Sequence, residues 1–234
     1  MGTLACPYST THFRTPMPDE PGPNNRRIAE RLDRHLDLIT RARKDPEATA
    51  LLAERGYDDA RMDEGLALHA AAQDAFTNRD RTSGARSTLA SATKKADRDA
   101  RRALAEVRNT LRALYDGQPG ILEELGVARD EPAGDRNTFL TESRGTLATV
   151  RTAPYAADAA EAGLTSKKLD AADTAIEALA TSAGDLSTSG GVRKGATTTR
   201  NVAFDDFQTW VSRFRRFSRI AYRDHPAVAE RVGM

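Results

Sequence analysis

The chain contains a single cysteine, Cys6, which excludes an intramolecular disulfide and is typical of a protein in a reducing compartment. No apolar stretch reaches the roughly 20 residues that a membrane-spanning helix requires. The beginning of the sequence shows no recognisable signal peptide, because only three residues precede the short run Leu4-Ala5-Cys6. We therefore expect a cytoplasmic protein without a membrane span.

The sequence also lacks an excess of charge of either sign. Its 35 lysines and arginines are offset by 34 aspartates and glutamates, which leaves a net charge of +1. A protein whose main task is non-specific binding to nucleic acid or to an anionic membrane usually carries a clear basic excess. This balance disfavours nucleic acid as a partner, and we expect another protein or a second copy of the chain instead.

Signatures of catalysis and of cofactor binding are absent as well. The sequence has no Gly-x-Ser-x-Gly, His-Glu-x-x-His or Cys-x-x-Cys motif. The glycine-rich stretch Ser189–Gly195 has no strand before it and matches the spacing of neither nucleotide-binding loop. A di-iron bundle requires Glu-x-x-His pairs, whereas Glu30 and Glu64 each lie five residues before a histidine. We therefore predict a non-enzymatic protein with no catalytic residue, no cofactor and no metal site.

The sequence does contain an internal duplication. At a constant offset of 107 residues it repeats Gly56 as Gly163, Asp63 as Asp170, Pro119 as Pro226, and Gly126 as Gly233. Further upstream the offset is 108, which pairs Arg43 with Arg151 and Pro46 with Pro154. Because the repeated residues are mostly helix starts and stops, this pattern predicts two equivalent sets of helices.

Prolines, glycines and capping residues divide each copy into helices. Asp45-Pro46 predicts a helix start, because aspartate accepts hydrogen bonds from the first amides and proline suits the first turn. Gly56 and Gly163 predict helix ends in the left-handed conformation. Turns containing further glycines are expected at Thr77–Ser87 and Leu186–Thr197, where each long helical segment would fold back on itself as a hairpin.

These elements predict an all-α fold, an internally duplicated helical bundle without a sheet, because no segment alternates apolar and polar residues as a strand does. Each copy would consist of a long helical hairpin, a preceding helix and a short C-terminal helix. The predicted segments are a proline-rich tail at 1–25, disordered or docked externally, repeat 1 at 26–127, a linker at 128–136 and repeat 2 at 137–234. The repeats are expected to pack as one unit, because half of the chain alone makes only a modest core.

His69 is the first candidate for a functional side chain, because the helical periodicity directs it toward the core. It lies in the apolar stripe of the helix that begins at Asp58, and its counterpart in the second copy is Ile176. One interpretation is a buried ligand or proton carrier, and the other is a core histidine bonded to a neighbouring helix. The second interpretation is favoured.

Two acidic residues, Asp63 and Asp170, occupy the same helical position in the two copies. They would share a proton or a cation if they met near a pseudo-two-fold axis. We favour the other interpretation, in which they are acidic residues near helix starts.

The strongest local pattern is the aromatic helix predicted at Thr198–Asp224, which holds six of the thirteen aromatic residues. Its aromatic side chains fall on one broad face and its arginines on the opposite face. We favour a core role for the aromatic face and a solvated role for the arginines. The alternative is an interaction surface that consists of Trp210, Phe214, Phe217, Arg215, Arg216, Arg219 and Arg223.

The chain resembles a family of uncharacterised bacterial all-helical proteins that consist of two such repeats. The resemblance rests on Ala53-Glu54-Arg55-Gly56-Tyr57, on Gly65-Leu66-Ala67-Leu68, and on the segment from Trp210 through Ser218-Arg219-Ile220-Ala221-Tyr222 to Pro226 and Val232-Gly233. It covers roughly Ile28 to Met234. It implies an all-helical fold and carries no known activity or catalytic residue.

Three hypotheses on function remain. The first is a non-enzymatic helical structural or interaction protein that self-associates. The second is a bundle that binds a small ligand or a metal near His69. The third and weakest is a nucleic-acid-associated protein that uses its arginine ridges.

Overall fold

A computed structural model describes residues 23–129 and 135–234. This part of the chain forms eight α-helices and no strand, so the predicted all-α class is confirmed. The helices are α1 Pro23–Lys44, α2 Pro46–Ala53, α3 Asp59–Leu114, α4 Pro119–Glu124, α5 Arg136–Val150, α6 Tyr155–Glu161, α7 Ser166–Ala221 and α8 Pro226–Val232. No helix in these two ranges has the length and apolar character needed to cross a membrane.

Most of the predicted tail and linker lie outside the described residues. The prediction for the tail extends too far at its end, because Pro23 already belongs to α1. The linker ends earlier than predicted: Asp135 caps α5, with its carboxylate accepting a hydrogen bond of 3.0 Å from the amide of Thr138, and Arg136 is the first helical residue.

The predicted hairpins are wrong. Both expected turns, Thr77–Ser87 and Leu186–Thr197, are helical, because α3 and α7 are each one uninterrupted helix of 56 residues. None of the glycines in these stretches adopts a positive φ angle. A glycine inside a helix costs about 1 kcal/mol relative to alanine and does not by itself end the helix.

Helix starts follow the predicted capping residues. The carboxylate of Asp45 accepts hydrogen bonds of 3.0 Å from the amides of Glu47 and Ala48 at the beginning of α2. Asp58 accepts one of 2.9 Å from the amide of Arg61 at the beginning of α3. These bonds satisfy amides that have no partner within the helix.

The helix ends recur between the two halves of the sequence. Gly56 and Gly163 close α2 and α6 with φ angles of 81° and 85°, a left-handed conformation that glycine adopts without strain. The first and last residues of α7 each lie 107 positions after those of α3. The order of helices is thus the same in both halves, while their origin by duplication stays a prediction from the sequence.

The chain divides into two compact units that cut across the predicted repeats. The first unit consists of the chain up to Thr77 together with Thr199–Met234, and the second unit is Asn78–Thr198. Each unit contains part of α3 and part of α7. Each unit therefore combines helices from both halves of the sequence, because neither long helix folds back on itself.

The core of the first unit is rich in aromatic side chains. Helices α1, α2 and α8 contact one another there. Arg231 of α8 forms ion pairs with Asp45 (2.6 Å) and Glu47 (2.8 Å) at the start of α2. The guanidinium group of Arg231 lowers the pKa of Asp45 to about 2. The largest fully buried apolar side chains of this unit are Leu32, Ile39, Leu52, Met62, Phe207 and Phe214.

The core of the second unit relies more on aliphatic side chains, which include Leu104, Val107, Leu111, Leu147, Ile176 and Leu179. Thr93 on α3 is almost fully buried, and its hydroxyl donates a hydrogen bond of 3.0 Å to the carbonyl of Ser182 on α7. This bond joins the two long helices close to the predicted turns, at positions that lie outside them.

Candidate functional site

Two of the aromatic residues proposed for a surface belong to the core of the first unit. Trp210 is 4% exposed, Phe214 is fully buried, and their rings stack with centroids 5.3 Å apart. The ring of Tyr57 packs edge-on against both, at 5.8 and 5.5 Å. A Cβ on Gly65 would overlap the indole ring of Trp210, so the absence of a side chain at this position of α3 makes room for it. The favoured core role is therefore correct for Trp210 and Phe214.

Phe217 behaves differently from these two residues. Its side chain is 39% exposed, and that of Ile220, one turn further along α7, is 40% exposed. Arg213 and Arg216 of α7 are exposed as well, and so is Arg223 in the turn that follows the helix. At 100° per residue the four helical positions fall within about 100° of one another. We call these four residues together with Arg223 the α7 face, and they correct the prediction that aromatic and basic side chains occupy opposite faces.

The arginines of the α7 face are exposed to solvent. No ion pair or hydrogen bond joins the guanidinium groups of Arg213, Arg216 or Arg223 to another described residue. Arg219 is exposed beside this face and is likewise unpaired among the described residues. Arg219 lies in the last turn of α7, where the helix dipole stabilises a cation.

Arg215 does not belong to the exposed set. It is half-buried, and its Nε atom is fully buried without a partner in the described part of the chain. The pKa of His35 is lowered first by burial and second by the positive charge of Arg215. The prediction that placed it with the solvated arginines is wrong, because α1 covers this side of α7.

A buried ring supports the exposed ring of Phe217. The ring of Tyr57 lies beneath it, with centroids 5.5 Å apart. Tyr57 is 4% exposed, and its burial raises the pKa of the phenol, although Arg61 and Arg213 oppose the shift. An aromatic side chain that is held in place from below loses little rotamer freedom on binding, which favours its use as a contact residue.

His69 is buried as predicted, at 9% exposure. Its ring packs edge-on against Phe207 with centroids 5.3 Å apart, and its Nε2 atom has no partner among the described residues. Burial lowers the pKa of His69, partly offset by Asp33, so the imidazole is neutral at pH 7. In the described ranges no three His, Cys, Asp or Glu residues are grouped in a way that would hold a metal ion.

A second buried histidine, His35 on α1, was not identified as a core residue from the sequence. It is 7% exposed, and its ring packs edge-on against that of Phe207 with centroids 6.0 Å apart. The pKa of His35 is lowered to about 4, mainly because the imidazole is buried. The helical period would have found it, because His35 lies between Leu32 and Ile39 on the buried stripe of α1.

The two recurring aspartates lie in separate units and form ion pairs. Asp63 accepts a hydrogen bond of 2.6 Å from Arg43, and Asp170 accepts one of 2.9 Å from Arg151. Arg43 and Arg151 are themselves a recurring pair of the sequence. Each carboxylate is thus paired with an arginine of its own half, and the recurrence reflects the same ion pair in each half.

No protein-family model, no curated protein and no solved structure matches this chain. The resemblance to two-repeat helical proteins therefore stays a prediction, and the function has to be argued from the geometry.

Proposed function

We propose that this protein is a non-enzymatic helical interaction protein that self-associates through the α7 face. The observation that carries the proposal is the exposure of Phe217 and Ile220 between arginines that have no partner in the described part of the chain. Exposed aromatic and aliphatic side chains beside arginine are the composition enriched at protein–protein contacts.

The charge of the α7 face decides what kind of surface it binds. A two-fold contact of this face with itself would bring the arginines of two copies together, and like charges in contact oppose association. The surface that it meets on the second copy must therefore be acidic. The second unit offers such a surface, where Glu123 and Glu142 have no ion pair with another described residue and Glu124 lies beside them.

Contact between two different surfaces is heterologous, and it generates rings or open chains rather than a closed dimer. We therefore expect a distribution of oligomers that grows with protein concentration and shrinks with salt, because part of the attraction is electrostatic. A nucleic acid would use the arginines but would gain little from Ile220, which is why a protein surface is the better match.

Sedimentation velocity over a range of protein and salt concentrations tests the proposal. Phe217→Gln combined with Ile220→Gln should yield a monomer with an unchanged melting temperature, because both side chains are already partly solvated. Val192→Gln is the matched control, since Val192 is an exposed apolar residue of the second unit, 55% accessible, and this variant should associate like the wild type. A wild-type protein that stays monomeric throughout would refute self-association.

A further inference from the structure

The second unit contains a cleft of about 560 Å³ between the end of α4 and one side of α5. Its lining includes Arg108 of α3, Glu123 and Glu124 of α4, and Glu142, Thr146 and Thr149 of α5. This volume is within the range of small-molecule sites. The α7 face lies in the other unit, so the cleft is separate from it in the chain.

Small side chains on α5 open this cleft. Gly145, Thr146 and Thr149 stand where the first half of the sequence, at the offset of 108, has Asp37, Leu38 and Arg41. A Cβ on Gly145 would meet nothing within 4 Å. The space is therefore a property of the residues in this half and is not demanded by the helix arrangement.

The corresponding place in the first unit is occupied. Beside Gly233 the nearest atom to an added Cβ is Nη1 of Arg41, at 3.6 Å. Beside Gly126, the counterpart of Gly233, it is the hydroxyl oxygen of Thr146, at 3.3 Å. At the offset of 108 the counterpart of Arg41 is the much shorter Thr149, which leaves room for a ligand.

Arg108 forms part of the wall of the cleft and is 2% exposed. Its guanidinium group donates hydrogen bonds to the carbonyls of Gly126, at 2.8 Å, and of Arg129, at 2.6 Å. These bonds fix the chain that follows α4 as the rim of the cleft. The two Nη atoms of Arg108 are used for this purpose, so the charge that remains available to a ligand comes mainly from the carboxylates.

Thr146 is a largely buried residue whose hydroxyl is available to the cleft. It is 3% exposed, it lines the cleft, and its hydroxyl forms no hydrogen bond with any described residue. Its Oγ1 atom is not one of the fully enclosed polar atoms, so it is reached from the cleft. A ligand there can form a hydrogen bond with it.

Three carboxylates face this space against two guanidinium groups, those of Arg108 and Arg129. Glu124 is engaged by the hydroxyl of Tyr155, whose pKa this bond raises to about 12. Glu123 and Glu142 have no ion pair with the described residues. We propose that the cleft binds an organic cation, an ammonium or guanidinium group, held by Glu123 and Glu142 and hydrogen-bonded by Thr146.

The cation has two sources with the same chemistry. One is a free amine, and the other is an arginine on the α7 face of a second copy. The site itself does not depend on self-association, so failure of the proposed function would leave the free amine as the ligand.

Titration calorimetry with 1,4-diaminobutane tests the site, with 1,4-butanediol as the uncharged control. We expect saturable binding of the diamine at one site per chain and none of the diol. Glu142→Gln should weaken binding about tenfold or more, the usual effect of losing a charge-assisted hydrogen bond. Thr149→Arg, which restores the long side chain of the other half, should abolish binding. Asp116→Asn, an exposed acidic residue of the same unit that does not line the cleft, should bind normally.

The variant with Phe217→Gln and Ile220→Gln distinguishes the two sources. Diamine binding that persists in this variant supports a free amine. If the wild-type protein does not bind the diamine and the Glu142→Gln variant no longer self-associates, the result supports an arginine of the second copy as the ligand. Three results would overturn the proposal: neither effect occurs, Asp116→Asn weakens binding as much as Glu142→Gln, or inorganic phosphate binds in the cleft in place of the diamine. Melting temperatures of all variants show whether each one is folded.

Discussion

Acid should destabilise the first unit through His35. Its imidazole is 7% exposed, and burial together with the positive charges of Arg215, Arg34 and Arg31 opposes protonation, while a hydrogen bond with Gln208 favours it. The net result is a pKa lowered from 6.5 to about 4. The unfolded chain therefore binds a proton at a pH where the folded chain does not.

The sign and the size of the effect follow from linkage. Because the folded pKa is the lower one, the contribution of His35 to stability is fully present above pH 6.5 and is lost as the pH falls toward 4. With these two pKa values, the free energy of unfolding should decrease by about 2 kcal/mol between pH 8 and pH 5. This is a large share of the stability of an ordinary domain.

Urea unfolding at pH 8, 6.5 and 5, followed by the fluorescence of Trp210, measures the effect in the correct unit. His35→Gln keeps a polar side chain of similar size that does not titrate, so it should remove the part of the pH dependence due to His35, about 2 kcal/mol, while the part due to the lowered pKa of His69 remains. His225→Gln is the matched control, because the side chain of His225 is 42% exposed, and it should leave the dependence in place. A His35→Gln variant that loses as much stability as the wild type between pH 8 and pH 5 would refute the reasoning.

Other perturbations test the packing of the same unit. Trp210→Ala should lower the free energy of unfolding by about 3–5 kcal/mol in urea denaturation, and an unchanged midpoint would place Trp210 outside the core. Gly65→Ala should destabilise by about 1–3 kcal/mol because its methyl group overlaps the indole ring, whereas Gly84→Ala, whose Cβ meets nothing within 4 Å, should stabilise by up to about 1 kcal/mol; melts that shift in the same direction for both would contradict this packing. His69→Ile should change stability by no more than about 1.5 kcal/mol in the same melts, and a larger loss would show that His69 does more than fill space.

Most helix boundaries were predictable because they depend on neighbours in the sequence. Asp45 caps α2 through amides two and three residues away, and Gly56 ends the same helix by its own φ angle. Such interactions need no knowledge of the rest of the chain. The all-α class follows from the same short-range pattern.

The interiors of α3 and α7 were not predictable in this way. A segment that contains Gly84, or the three glycines after Ser189, has a weak preference for helix that contacts elsewhere can override. Arg86 in the first segment and Gly190 in the second lie side by side, with Nη1 of Arg86 4.0 Å from a Cβ added to Gly190, although the two residues are far apart in the sequence. The failure of the hairpin prediction is therefore a failure to know the tertiary partner.

The candidate sites show the same limit. Helical periodicity correctly directed His69 and Phe214 inward, but it did not show that the covering helices leave Phe217 exposed and enclose Arg215. Nor did any motif mark the cleft beside Thr146.

By itself, the sequence determined the helical class, the capping of the helices and the recurrence of their boundaries, since these depend on dihedral preferences and hydrogen bonds within a few residues. Only the tertiary structure decided whether the long helices turn or continue, which aromatic side chains remain at the surface, and where a buried hydroxyl faces an open space. The physical reason is that burial depends on which distant surfaces meet, and a helix of given sequence presents the same side chains whichever partner covers them.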